Sequence, residues 1–438
     1  MSVVAFTEQQ ILDMAPDASA ATSAKSLAHE AKWVSVHQHE KALWGECKGS
    51  GAKAYKTQID LSATAFKCSC PSRKFPCKHG LGLLLLYVRD IDAFKTAEPP
   101  DWVAEWLKKR EARLTQQAAK ADKPVDAQAQ AKRKAKRSAR IEDGIEELQR
   151  WCKDIIRAGI AAAPDKEKDF WHNMSRRMID AQAPGLALLV RKLAATDFSA
   201  ENWQTDFLDQ LTLIYTLTES YPRIDTLPEA VQHDVRSWIG FGQSPDDLRT
   251  REATRDLWIV LGRRTEYDQN ITAQRYWFYG VNTKRFALNI QYQVAGRTPV
   301  LTFAPGTAID AEVVYYDSAF PYRVAVRTQH AVTPVPEVQA CTNWNAVLEQ
   351  EAAWAAKQPF QDEKPFIVHG IRPALAGKTW MLVDEQSKGM KLKGGFERML
   401  HLLAHSGGYA STLFVVGKEN EYEPIGIWKN GAYYLLST

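Results

Sequence analysis

Within twelve residues the chain reads Cys68-Ser-Cys70-Pro-Ser-Arg-Lys-Phe-Pro-Cys77-Lys-His79, two local pairs of soft ligands separated by six residues. Three thiolates and one imidazole are a usual closed set for tetrahedral zinc, and both pairs are close enough in sequence to share one ion. Four protein ligands leave no open position for water, so the expected ion is a structural zinc, one per chain, and not a hydrolytic centre. Three thiolates on one Zn²⁺ leave the site at a net charge of −1, and Lys67, Arg73, Lys74 and Lys78 surround it in sequence. These cations either offset that charge locally or reach a partner's phosphate backbone or acidic surface.

The elements that must position the ligands can be read from the flanks. Tyr55, Thr57, Ile59 and Leu61 alternate with polar residues, the period of a half-buried strand, and complete a β-hairpin that leads into Cys68. Pro71 limits continuation of the strand. After His79, Leu81, Leu84, Leu85 and Val88 recur at helical spacing. The order is strand, strand, ligands, helix, so the metal would tether the end of a hairpin to the start of a helix.

This arrangement of Cys68, Cys70, Cys77 and His79, with the strings Cys-Ser-Cys-Pro and Cys-Lys-His-Gly, resembles the SWIM-type zinc finger. The likeness covers about residues 44–88. It implies zinc binding and contacts with proteins or with DNA. The whole-chain layout is similar to that of bacterial SWIM zinc finger proteins, which implies partners of the MoxR-type AAA+ ATPase and von Willebrand A-domain classes.

The rest of the chain reads as a multidomain α+β protein. Its 438 residues, 45% hydrophobic, suit about three domains. Residues 1–107 hold N-terminal helices and the ββα zinc finger; the first helix is announced by a capping box, Thr7 with Gln10. Residues 108–140 read as a basic, partly helical linker, carrying twelve Lys or Arg against Glu111, Asp122 and Asp126, although the whole chain has a net charge of only +4. Its densest part, Lys132, Arg133, Lys134, Lys136 and Arg137, is a candidate contact for DNA, RNA or an acidic partner. Residues 141–254 show helical spacing and read as an α-helical middle domain. Residues 255–438 turn to strands rich in β-branched and aromatic residues, with helices near Ala346–Ala356 and Phe396–His405, and read as an α+β domain with an antiparallel sheet. Asn430-Gly431 is suited to a tight hairpin turn.

No P-loop, nucleophile elbow or dinucleotide fingerprint is present, and no catalytic constellation emerges. His401 and His405 are four apart on a helix, but Leu402 stands where a metalloprotease needs Glu. The aromatic and basic residues of Arg275–Tyr279, and Tyr315, Tyr316, Phe320 and Tyr322, are first candidates for packing and second for base stacking. Neither a secretory leader nor a membrane span is visible, and the cysteine usage suits a reducing compartment, so a cytoplasmic protein is expected. The leading expectation is a zinc-stabilised protein-interaction module; a DNA- or RNA-binding protein and an enzyme with an unrecognised site in the C-terminal domain are the alternatives.

Overall fold

The computed structural model describes residues 6–40, 42–49, 53–62, 64–72, 74–119, 127–243, 248, 250–268, 271–294, 301–360, 363–393 and 395–436. The N-terminal unit opens with α1 (Glu8–Asp13), whose capping box between Thr7 and Gln10 forms as the sequence indicates, and α2 (Ala18–Leu27), capped by Asp17. Four strands follow, β1 (Trp33–His39), β2 (Ala42–Cys47), β3 (Tyr55–Asp60) and β4 (Ala65–Cys68), then α3 (Lys78–Arg89) and the short β5 (Lys95–Thr96). The hairpin read from the sequence is thus the inner part of a five-stranded sheet, ordered β4-β3-β2-β1-β5.

Helix α3 is buried on nearly every side from His79 to Tyr87. A helix apolar all round belongs in an interior, and α3 lies between the sheet residues Ile59 and Phe66 and the helices α1 and α2. Gly82 permits this, since a Cβ there would sit 2.8 Å from Leu27 Cβ. The opposite face of the sheet is covered by α4 (Asp101–Ala119), which buries Val103 against Ala42 and Trp44. Arg110, inside the segment read as linker, pairs with Asp60 at 3.2 Å and lies over the Trp106 ring. That end of the basic segment is docked on the sheet.

The middle unit contains α5 (Ala127–Ala158), α6 (Lys168–Asp180), α7 (Pro184–Ala194), α8 (Trp203–Ser220) and α9 (Glu229–Ile239) around one apolar core. The boundary read at 140/141 falls inside α5, which runs unbroken from the basic stretch into the core residues Ile141, Ile145 and Leu148.

The C-terminal region contains two sheets. Strands β6 (Thr254–Asp268), β7 (Ile271–Gly280), β8 (Phe286–Val294), β9 (Ala308–Tyr315) and β10 (Arg323–Thr333) close a barrel in the order β10-β8-β7-β6-β9. Trp258, Val260, Tyr276, Phe278 and Phe303 belong to one core. After α10 (Trp344–Lys357) come β11 (Lys364–Ala376), β12 (Thr379–Val383), β13 (Gly389–Leu392), α11 (Gly395–Ser406), β14 (Ser411–Lys418), β15 (Glu421–Lys429) and β16 (Ala432–Leu435). These strands form a second sheet ordered β13-β12-β11-β14-β15-β16, and β13 also pairs with β15. Asn430 and Gly431 take positive φ, +50° and +76°, at the β15–β16 turn, as a type I′ hairpin requires. The α+β class holds and most pairings are antiparallel; β8–β10 and β13–β15 are short parallel exceptions. Trp277, Leu288, Ile367, Phe414 and Ile425 share a core that joins barrel to sheet. Arg263 of the barrel donates to the carbonyls of Met14 and Ala15, and Gln10 donates to the carbonyl of Gly306, so the finger unit rests on the barrel. Among the described residues no helix is long and apolar enough to cross a membrane.

Candidate metal centre

Cys68 is the last residue of β4, Cys70 follows the strand end, Cys77 caps the N-terminus of α3 and His79 lies in its first turn. One ligand atom from each lies within 4.8 Å of every other, and Cys68 Sγ is 3.8 Å from His79 Nδ1. Zn–S bonds of about 2.3 Å set the edges of a thiolate tetrahedron near 3.8 Å, so the four groups fit zinc with at most a small contraction. Among the described residues this is the only group of three or more His, Cys, Asp or Glu side chains placed to hold a metal.

The surroundings support the ligands. Thr57 Oγ1, on β3, lies 3.2 Å from Cys68 Sγ, and the Tyr55 ring stands 4.9 Å from that of His79. Both contacts follow from the odd-numbered face of β3, an alternation visible in the sequence, although their roles beside the ligands were not. The hydrogen bonds of Cys68 and Cys77 to Cys70 hold the Cys70 thiol well below the ordinary range, whereas the bonds of Cys77 to Cys68 and Cys70, with burial, push its own thiol up. Burial depresses His79, but bonds to Cys68 and Cys70 outweigh it and raise the imidazole to about 9. Zinc takes its cysteine ligands as thiolates and its histidine neutral, so metal binding at this site would release protons.

Cys47 is not a fifth ligand. It is buried at the end of β2, its Sγ is 3.7 Å from the carbonyls of Lys32 and Lys48, and burial pushes its thiol up to about 11.

The neighbouring cations are spread out. Lys74 pairs with Asp17 at 2.6 Å. Lys67 lies opposite Gln58, whose amide donates to the Trp102 carbonyl, so it belongs to the side covered by α4. Lys78 is exposed on the first turn of α3, and Arg73 lies outside the described residues. In α5 the backbone of Lys132, Arg133, Lys134 and Lys136 is helical, and their side chains lie outside the description. Arg137 is a clasp within the bundle: its guanidinium sits 4.3 Å from the Phe241 ring centroid and donates to the carbonyls of Gly240 and Gln182. His405 packs on Tyr434, 5.4 Å between centroids, and among the described residues neither it nor His401 joins a metal cluster.

A closed Cys₃His site between a sheet and a buried helix defines a zinc finger whose metal holds structure. Residues 55–87 match the family model of the SWIM zinc finger, and residues 136–239, from within α5 through α9, match that of the SWIM-associated four-helix bundle domain. The chain carries a SWIM zinc finger followed by its associated bundle. Searches of curated proteins and of solved structures found no match.

Proposed function

We propose that the chain is a zinc-stabilised protein-interaction module, an adaptor within an assembly of the kind built on a MoxR-type AAA+ ATPase or a von Willebrand A-domain protein. The observation that carries this reading is an apolar groove of about 310 Å³ between α5 and α8, lined by Cys152, Ile156, Leu208, Leu211, Thr212 and Tyr215. Ile156 is 50% and Leu208 42% exposed, and both line this one groove. Lys153 and Arg157 line the α5 side of the groove. The shape and charge suit an amphipathic helix whose apolar face enters the groove and whose acidic flank meets α5. The closed metal site supports a binding role, because its zinc stabilises a surface and offers no position for substrate.

The test compares capture of partners by the full chain and by an Ile156→Asp, Leu208→Asp variant, each after nuclease treatment. The reading expects capture that survives nuclease and disappears in the variant. Capture equal in both proteins, or lost on nuclease treatment, overturns it.

A further inference from the structure

Numbered from β6, the barrel's strands run 1-2-3-5-4 with the fourth paired back to the first, and the third and fifth are parallel, Leu288 opposite Arg323 and Asn289 opposite Val324. This is the strand order of the OB-fold, whose ligand face is the outside of strands 2 and 3 together with the loop between strands 4 and 5. A fold names no ligand, so the side chains on that face must decide.

Outside β7 and β8 the cross-strand rows are Tyr279 with Phe286, Trp277 with Leu288, Arg275 with Ile290 and Ala273 with Tyr292. The C-terminal sheet covers the first two rows, where Trp277, Tyr279 and Leu288 are buried against Ile367, Phe414 and Ile425. In the row of Ala273 with Tyr292, the farthest whose side chains are described, Tyr292 is 62% exposed. Beside it, at the end of the strand 4–5 loop, the Arg323 guanidinium lies 4.6 Å from the Tyr316 ring centroid and 6.0 Å from that of Tyr292. Arg285 lies 4.1 Å from the Tyr315 centroid and donates to the Pro321 carbonyl in the same loop.

Among the described residues neither Arg285 nor Arg323 makes an ion pair, and Arg323 Nε is buried without a hydrogen-bond partner. The acidic residues of the barrel strands and of the strand 4–5 loop have partners of their own: Glu266 with Arg275, Asp310 with Arg255, Glu312 with His330, Asp317 with Arg251, and Asp256, which shares the surroundings of Tyr315 with Arg285, with the backbone of Asn282 and Thr283. Of these two guanidiniums held against rings, Arg323 stands next to the exposed Tyr292 ring, whereas Arg285, just before β8, lies toward the other end of that strand. Stacking platforms with adjacent cations are what sequence-tolerant binding of unpaired bases and their phosphates requires.

We propose that the Tyr292–Arg323–Tyr316 face binds single-stranded nucleic acid, with a base stacked on Tyr292 and the adjoining phosphate on Arg323. This function is separate from the bundle groove and from the zinc finger.

The experiment titrates the full, zinc-loaded chain into labelled single strands of roughly 12 nucleotides, DNA and RNA, and into a duplex of the same length, following anisotropy from about 50 to 200 mM salt. The proposal expects single strands to bind better than the duplex. Tyr292→Ala should weaken single-strand binding by roughly tenfold or more without changing the salt slope, and Tyr292→Phe should retain it. Arg323→Ala should lower the slope of log K against log salt by about 0.7, the value for one phosphate of a single strand. Unchanged zinc content and circular dichroism verify the fold of each variant. Absence of single-strand binding, preference for duplex, or variants that bind like the parent overturn the proposal. So does binding that vanishes only when Lys132–Arg137 are neutralised, which would place it on α5.

Discussion

Replacing Glu363 with Gln should loosen the junction between barrel and C-terminal sheet, by an amount that depends on pH. The Glu363 carboxylate accepts from Arg264 of β6 at 2.7 Å and from Lys393, just after β13, at 2.8 Å. Arg264 also pairs with Glu423 of β15, which accepts from Arg398 of α11 at 2.6 Å. Burial alone would raise the Glu363 carboxyl, but the charges of Arg264 and Lys393 outweigh it and hold the group at about 2 instead of 4.5. At about 1.4 kcal/mol per pH unit, that difference is worth roughly 3 kcal/mol at pH 7. With 26% of the side chain exposed, solvent screening reduces the expectation to about 2 kcal/mol. Because the folded-state pKa is depressed, this stability is fully present above the ordinary carboxylate value and is lost as pH falls from 4.5 toward 2. Urea unfolding of parent and Glu363→Gln, followed by pulsed hydrogen exchange in peptides from β6 and β15, measures the difference locally. It should be largest at neutral pH and shrink steadily through that acid window. A variant as stable as the parent at pH 7, or a difference that stays constant on acidification, would refute the reasoning.

Other expectations concern the finger unit. Cys77→Ser should reduce zinc from about one per chain and increase protease cleavage across residues 44–88, while the bundle, which has a separate core, keeps its helicity; full zinc occupancy by elemental analysis would remove Cys77 from the ligand set. Gly82→Ala places a methyl 2.8 Å from Leu27 Cβ and 3.4 Å from the Ala24 carbonyl, so it should cost about 1–3 kcal/mol of finger-unit stability, read as a lower thermal midpoint. Arg110→Ala removes the partner of a largely buried Asp60 and should release α4 from the sheet, seen as faster hydrogen exchange from Trp102 to Leu107; unchanged exchange there would show that Val103 and Trp106 hold the helix unaided.

The features that could be read directly are those whose causes are local. The capping box at Thr7, the two ligand pairs and the Asn430-Gly431 turn each depend on residues a few positions apart, and each appears where the chemistry places it. β11 carries no alternating pattern because much of it is buried on both faces, which removes the mark of a half-buried strand. Barrel closure depends on Leu288 meeting Arg323, and the docking of α4 on Asp60 meeting Arg110, pairs too far apart for any periodicity to announce. The basic stretch reads as a partly helical linker, and its lack of an apolar stripe hides its continuity with the bundle. Its Ala, Lys, Arg and Gln are strong helix formers, and their helix gains its anchorage from the core residues that follow.

The continuity of α5 has a mechanical consequence. At 1.5 Å per residue its 32 residues span about 48 Å; the helix is held in the bundle from Arg137 onward, and the ten residues before it, about 15 Å, run ahead of that anchor. The backbone of residues 127–136 therefore has a set bearing relative to the groove, and a displacement of the bundle carries it along as a lever arm. One residue inserted ahead of Arg137 would turn everything upstream by about 100° and advance it by about 1.5 Å, a change to which a slack tether would be indifferent.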